Sequence, residues 1–341
     1  MTEYGSVLDG YIVPGEPLVS VNVITYNHGK YIRQCLDGIL MQKVNFPYEV
    51  LVHDDASPDD TADIIREYEA RFPTVIKPIY QTENQYSQGK SVGKFNIDRA
   101  KGKYIAQCEG DDYWTDPEKL QMQVDFLEGH EEYVGCVHRV KVINETGMDD
   151  LASPFASCYT PSVFTLQDAQ KYDVCWGLAG HWAALIYRNI FKTCSKEIVD
   201  NYYACKTNGD NKLSLFLALN GDIYRFDETM STYRHITTFG TSWSTRCKTM
   251  PNPYWRHYSQ ICELERFAKE NYGFSLDYNL LKVSCGFGSL LSFLKRPKII
   301  KLKEIYMILS TYNLKLFYLF VYYPLHRYPL LRLAQKIACD C

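Results

Sequence analysis

Apolar positions in the first half of the chain alternate between two rhythms, a period of two and a period of about 3.6. Leu18-Val-Ser-Val-Asn-Val-Ile-Thr-Tyr26 is a β-branched run that stops at Asn27-His-Gly29, the pattern of a strand running into a turn. Tyr31 to Gln42 then sets Ile32, Cys35, Leu36, Ile39 and Leu40 at helical spacing. The unit repeats. Tyr48-Glu-Val-Leu-Val-His53 is a short apolar strand ending at Asp54-Asp-Ala-Ser-Pro-Asp-Asp-Thr61, and Ala62 to Phe72 carries a helical stripe of Ile64, Ile65, Tyr68 and Phe72. Two strand–helix units in succession predict a parallel sheet with right-handed crossovers. Ile76 to Tyr80 predicts a third strand and Gln81 to Gly93 a polar loop, which with Lys90 and Lys94 nearby is a candidate to close on a ligand. Ile97 to Lys101 predicts a short helix ending at Gly102, a residue suited to a helix C-terminus.

The next apolar run, from Tyr104, ends in Glu109, Asp111 and Asp112, and Pro117 opens a new helical pattern. Thr115 or Asp116 is the expected cap of that helix, with Leu120, Val124 and Leu127 as its buried stripe. Val134 to Ile143 reads as a strand, Asn144 to Pro161 as a loop and Thr165 to Tyr172 as a short helix. Gly177 to Arg188, with His181 inside it, is a strand candidate. Asn208-Gly-Asp-Asn211 precedes a helical run, Leu213 to Leu219, and Asp222 to Phe226 reads as a closing edge strand before Tyr233-Arg-His235.

The expected fold class is α/β, a mixed sheet flanked by helices. Residues 1–17, rich in glycine and proline, form an irregular lead-in. Residues 18–240 are expected to form the α/β domain, divided into 18–130 and 131–240, and residues 245–341 a helical extension that includes a helix from Tyr254 to Tyr272. From Leu290 onward nine Lys or Arg stand against only Glu304 and Asp340, interleaved with apolar runs such as Leu314 to Tyr323. No run reaches the roughly 20 residues that span a bilayer. A basic, aromatic tail of this kind suits the surface of an anionic leaflet, or packs as a plain helical appendix.

Composition narrows the classes. With 46% hydrophobic and 23% charged residues in 341, the chain is neither disordered nor fibrous. A net charge of -3 supplies no basic field for nucleic acid, and no local basic patch stands out in the first 280 residues. The twelve cysteines lack paired spacings, apart from Cys339 and Cys341, so neither a zinc site nor a disulfide framework is expected. The start of the chain shows no apolar signal core, so a cytoplasmic location is expected.

Ligands of open α/β sheets bind beyond the carboxyl ends of the strands. Tyr26-Asn27, Asp54-Asp55 and Glu109-Gly-Asp-Asp112 all stand at such ends and are expected to share one crevice. Carboxylates at the end of a buried strand carry a desolvation cost that a divalent cation offsets, and a hard cation takes one or two carboxylates together with substrate phosphates.

Three motifs, Val19-Ser-Val-Asn-Val-Ile-Thr-Tyr-Asn27, Val52-His-Asp-Asp-Ala-Ser-Pro-Asp-Asp-Thr61 and Ala100-Lys-Gly-Lys-Tyr-Ile-Ala-Gln-Cys-Glu-Gly-Asp-Asp112, occur in an order that resembles the family 2 glycosyltransferases of bacterial polysaccharide and glycoconjugate synthesis. The resemblance covers residues 18 to about 130 and, more loosely, continues to about 236. It implies the GT-A fold and an inverting, hexosyltransferase-like reaction with a nucleotide-diphospho-sugar, a UDP-sugar in the first instance. The acceptor it implies is a glycan or a lipid-linked saccharide, at or near the inner face of the plasma membrane. Tyr26, with Asn27 beside it, and Asp55 then fall to the nucleobase. The DXD-type cluster, here with Glu109 where an Asp often stands, falls to ribose and to Mn²⁺ or Mg²⁺, with Asp111 and Asp112 as the metal ligands. Asp210 takes the place of the base that deprotonates the acceptor. Arg234 is a candidate for the leaving diphosphate, and His181 and His235 for the acceptor.

Two other readings use the same residues. A GT-A-like nucleotidyltransferase needs a glycine-rich, basic signature after the first strand, for which Asn27-His-Gly-Lys30 is a poor substitute. A non-catalytic sugar-binding protein has no need of both the acidic cluster and Asp210.

Overall fold

Val19, Val21 and Val23 alternate with Ser20 and Asn22 along β1 (Val19–Thr25), and all five are buried, as in a central parallel strand covered on both faces. In this computed structural model, which describes residues 13–157, 159–160, 162–171, 177–236 and 252–295, β1 lies between two parallel neighbours. These are β2 (Tyr48–Asp54) and β4 (Tyr104–Glu109), and β3 (Ile76–Tyr80) extends the sheet beyond β2. The crossover helices α1 (Ile32–Leu40) and α2 (Thr61–Arg71) bury the stripes the spacing predicts.

The second half widens the sheet to nine strands in the order β3-β2-β1-β4-β8-β6-β9-β5, with β7 (Val163–Phe164) also on β9. β5 (Tyr113–Trp114) and β8 (Ile186–Arg188) are short, whereas β6 (Tyr133–Asn144) and β9 (Asp222–His235) are long and pair in parallel. The mixed sheet with helices on its faces is the expected α/β class.

Several local expectations are corrected. The helix expected over Ile97 to Lys101 lies earlier, as α3 (Val92–Ile97). It is placed by a buried polar anchor that apolar spacing does not register: Asn96 Nδ2 donates to Leu51 O at 2.7 Å and to Asn22 Oδ1 at 2.8 Å. Gly102 serves close packing, since a Cβ there would stand 2.5 Å from the backbone N of Ser20. Helix α4 (Lys119–Gly129) has Glu118, and not Thr115 or Asp116, at its N-cap position, where no side chain caps it; Asp116 Oδ1 instead accepts from the Glu118 N–H at 2.8 Å, in the turn ahead of the helix.

Gly177 to Arg188 is not one strand. His181 Nδ1 accepts from the Ala183 N–H at 3.2 Å, which turns Trp182–Ala184 into a 3₁₀ turn, and only β8 remains extended. Asp222 to Phe226 is the first part of the fourteen-residue β9, which lies inside the sheet between β6 on one side and β5 and β7 on the other. The loop expected over Asn144 to Pro161 holds one helical turn, α5 (Pro154–Ser157), and α6 (Leu166–Lys171) follows as expected.

Helices α7 (Ile190–Thr193), α8 (Lys196–Ala204) and α9 (Gly209–Ala218) lead into β9, and α10 (Pro253–Tyr272) and α11 (Asn279–Lys295) follow it. Leu264, Phe267 and Ala268 of α10 join the hydrophobic cluster that also holds Val137 of β6 and Phe216 of α9. Among the described residues no helix is long and apolar enough to cross a membrane. Residues 1–12 of the lead-in and 296–341, most of the basic, aromatic tail, lie outside the described residues.

Candidate active site

Parallel pairing in register brings three strand ends level: Thr25 pairs with Asp54 and Ile24 with Glu109. The chain beyond each strand is then stitched to its neighbour, Asp55 N–H to Thr25 O and Gly110 N–H to Ile24 O, both at 3.0 Å. Tyr26, half-buried, and Asn27, exposed, follow β1. Asn27 holds φ 59°, a left-handed geometry that asparagine tolerates, and its N–H donates to Ser57 Oγ at 2.9 Å.

Asp55 is 3% exposed. Its Oδ1 accepts from the Gln85 N–H at 2.8 Å and its Oδ2 from the Tyr86 N–H at 3.0 Å, so this carboxylate anchors the turn at 84–88. That tie to the following loop is not visible from spacing.

Glu109, Asp111 and Asp112 place carboxylate oxygens within 4.8 Å of one another. Glu109 and Asp111 are half-buried and Asp112 is fully buried. Burial pushes the Asp112 carboxyl well above the usual carboxylate range, and the charges of Asp111 and Glu109 push the same way. Glu109 is raised by loss of water contact, then by Asp111 and Asp210. Asp112 Oδ1 accepts from the Arg234 backbone N–H at 2.9 Å, whereas Oδ2 is buried with no hydrogen-bond partner among the described residues.

His181 Nδ1 lies 3.8 Å from that oxygen, but the contact is not an ion pair. Nδ1 already accepts from Ala183, and burial holds the imidazole down at about 3 and therefore neutral. With the Nδ1 lone pair taken by Ala183, His181 offers Asp112 Oδ2 no hydrogen bond. A buried carboxylate oxygen without a partner calls for a positive charge beside it. Clustered carboxylate oxygens suit Mg²⁺ or Mn²⁺, so the residues present fit a divalent cation.

Arg234 sits over the acidic turn. Its guanidinium lies 4.7 Å from the ring centres of both Tyr31 and Tyr113, and donates to Asp111 O and Gln34 Oε1. His28 Nε2 is 3.7 Å from Asp111 Oδ2.

The expected base, Asp210, stands inside the first turn of α9, one step later than the reading that put it ahead of the helix. It is open to solvent yet set in the crevice with protein around it, and this partial loss of bulk water pushes its carboxyl up to about 6. Tyr233 links the two sides. Its hydroxyl is raised by burial and then by the charges of Asp112, Asp111, Glu109 and Asp210. His181 stacks on Tyr233 with ring centres 3.9 Å apart, and His235 lies 5.8 Å beyond.

Every candidate from the sequence apart from Tyr26, Asn27, Asp55 and Asp210 therefore takes part in this contact network around the acidic cluster. Tyr233 was missed. The alternation of a strand was the available signal, since it puts Tyr233 and His235 on one face and Arg234 on the other. Tyr31, Gln34 and Tyr113, which seat Arg234, gave no signal.

Residues 20–193, about half the chain, match the model of the family described as Glycosyl transferase family 2. The uncharacterized protein Rv1520 of Mycobacterium tuberculosis is 37% identical over 223 residues, 63% of this chain and 58% of that protein's length. Among solved structures, S. aureus TarS 1-349 in complex with UDP-GlcNAc superimposes with a TM-score of 0.51 at 19% identity, covering 84% of this chain and 82% of that one. The mannosyltransferase PcManGT from Pyrobaculum calidifontis, in complex with GDP-Man and Mn²⁺, has a TM-score of 0.50 at 14% identity and covers 96% of this chain and 87% of that one. The chain has the GT-A fold and belongs to glycosyl transferase family 2.

Proposed function

We propose that this chain transfers a sugar from a nucleotide-diphospho-sugar, a UDP-sugar in the first instance, to a hydroxyl of a glycan or lipid-linked saccharide, with inversion. The observation that carries this reading is the cluster of Glu109, Asp111 and Asp112, with carboxylate oxygens within 4.8 Å of one another and Asp112 Oδ2 left without a partner among the described residues. Asp111 and Asp112 would hold Mn²⁺ or Mg²⁺, with Glu109 in support. When bound, such an ion supplies Lewis-acid neutralisation of the charge on the departing diphosphate.

The chain's own residues do the rest. Tyr26, Asn27 and Asp55 take the nucleobase side of the crevice. Asp210 accepts the acceptor's hydroxyl proton while the acceptor oxygen forms its bond to the anomeric carbon, and the bond to the diphosphate oxygen breaks on the opposite face. The nucleoside diphosphate leaves with that electron pair. Arg234, held against Tyr31 and Tyr113, keeps the acidic turn in shape and adds positive charge beside it.

Nucleotide-sugars bound to TarS and PcManGT support the donor class. Cell-surface polysaccharide synthesis, a peripheral position at the inner face of the membrane and a role for the 296–341 segment rest on the resemblance and on composition.

Incubation with UDP-, GDP- and dTDP-sugars in Mn²⁺ tests the reading. Slow, metal-dependent release of a nucleoside diphosphate is expected. Pyrophosphate release from a nucleoside triphosphate would move the assignment to nucleotidyl transfer. Silence on every donor, with no donor-induced thermal shift, would overturn catalysis altogether.

A further inference from the structure

We propose that Asp150 is a positioning residue for His235, fixing the imidazole proton on Nδ1 and leaving Nε2 as a lone pair that orients the incoming acceptor for Asp210. Asn144 at the end of β6 pairs with His235 at the end of β9. The chain then turns back, held by an Ile143–Asp149 bridge and by the Asp150 N–H donating to Val142 O at 3.0 Å, and this return sets Asp150 beside the ring. Asp150 Oδ2 stands 2.8 Å from His235 Nδ1, each side chain 21% exposed.

Both carboxylate oxygens are engaged, since Oδ1 accepts from the Ala152 N–H at 3.1 Å. A carboxylate has no proton to give, so Nδ1 is the donor. Nε2 has no hydrogen-bond partner among the described residues. The dyad ends a row of rings that begins at Asp112: His181 near its free oxygen, Tyr233 stacked on His181, and His235 beyond Tyr233, with Phe155 edge-on to both His181 and Tyr233. That row leads from the proposed cation site to the side where an acceptor enters, and the role of Nε2 there rests on the transferase reading.

Asp150→Asn separates positioning from scaffolding. The amide keeps the shape but has a single acceptor oxygen. The Ala152 N–H claims that oxygen, so the NH₂ group turns to His235, makes Nδ1 an acceptor and moves the ring proton to Nε2.

Two readouts follow on the full chain. With ¹⁵N-histidine labelling, and His235→Gln to assign the signal, the His235 tautomer is expected to be Nδ1–H in the wild type and Nε2–H in Asp150→Asn. With UDP-GlcNAc as the probe, UDP release is expected to fall at least about tenfold in both variants while donor affinity stays within about threefold. An unchanged tautomer in Asp150→Asn overturns the proposal, as does a loss of donor affinity that matches the loss of turnover. Silence of the wild type toward UDP-GlcNAc counts against that donor, and the tautomer then decides on the dyad alone.

Discussion

The Arg234 backbone N–H occupies one oxygen of Asp112 at 2.9 Å, and the other oxygen, 3.8 Å from His181 Nδ1, has no hydrogen-bond partner among the described residues. A free, buried carboxylate oxygen is destabilised until a cation or proton arrives. Asp112→Asn keeps the hydrogen bond to Arg234 and removes the charge. Unliganded stability is expected to hold or rise in a thermal melt. The stabilisation by Mn²⁺ with UDP should vanish, and turnover should drop beyond the roughly 10–100-fold typical of outer-shell changes.

Asp210 gives the reaction a pH signature. Its carboxyl is pushed up to about 6, and a base works only when ionised, so activity is retained above that value and declines as pH falls through it. A pH profile of kcat/KM should fall about tenfold per unit below the apparent value, a limb shared with whatever else titrates in the crevice. Asp210→Asn should abolish transfer while calorimetry still detects donor binding; near-normal turnover in that variant would remove Asp210 from its role.

Gly110 lets the acidic turn lie against the end of β1. A Cβ there would stand 2.5 Å from Thr25 Oγ1 and 2.9 Å from His28 Nδ1, closer than side chains pack. Gly110→Ala is expected to cost about 1–3 kcal/mol in chemical denaturation, the range for overpacking, and to weaken metal-dependent donor binding because Asp111 and Asp112 shift together. A variant with full stability and full binding would show that the turn has slack.

Lys119 offers a test away from the chemistry. It is completely buried, with Nζ 2.8 Å from Gln123 Oε1 and 3.9 Å from the Trp114 ring centre, and burial lowers it to about 7. The folded value lies below the unfolded one, so between about pH 7 and 10 the unfolded chain binds the extra proton and stability rises with pH, by up to ~1.4 kcal/mol per unit. Denaturation at pH 7 and 9 should show this gain, and Lys119→Met should abolish it while raising stability at pH 7.

The strand–helix alternation through Tyr80 was legible because both faces of a parallel strand are buried and the connecting helices each present one stripe. The acidic cluster was legible because charged residues at the end of an apolar run have few structural uses, whereas Asp210 was picked out by the resemblance alone. Polar anchors were not. Asn96 fixes α3 through carbonyls 45 and more residues distant in sequence, and His181 breaks a strand with a single hydrogen bond to its own turn. Such contacts have no period, and neither the seat of Arg234 against Tyr31 and Tyr113 nor the Asp150–His235 pair could be reached without the fold that brings their strands together.

The grip of Asp55 on the turn at 84–88 bears on how fast a donor is captured. With 3% of its surface exposed beneath two backbone N–H groups, this carboxylate is reached by a nucleobase only when the turn lifts. If Asp55 takes the base as proposed, the encounter-competent population is the lifted fraction, and observed affinity is scaled down by that fraction. Substitutions that loosen 84–88 should therefore quicken association, whereas departure of the spent nucleotide waits on the same gate.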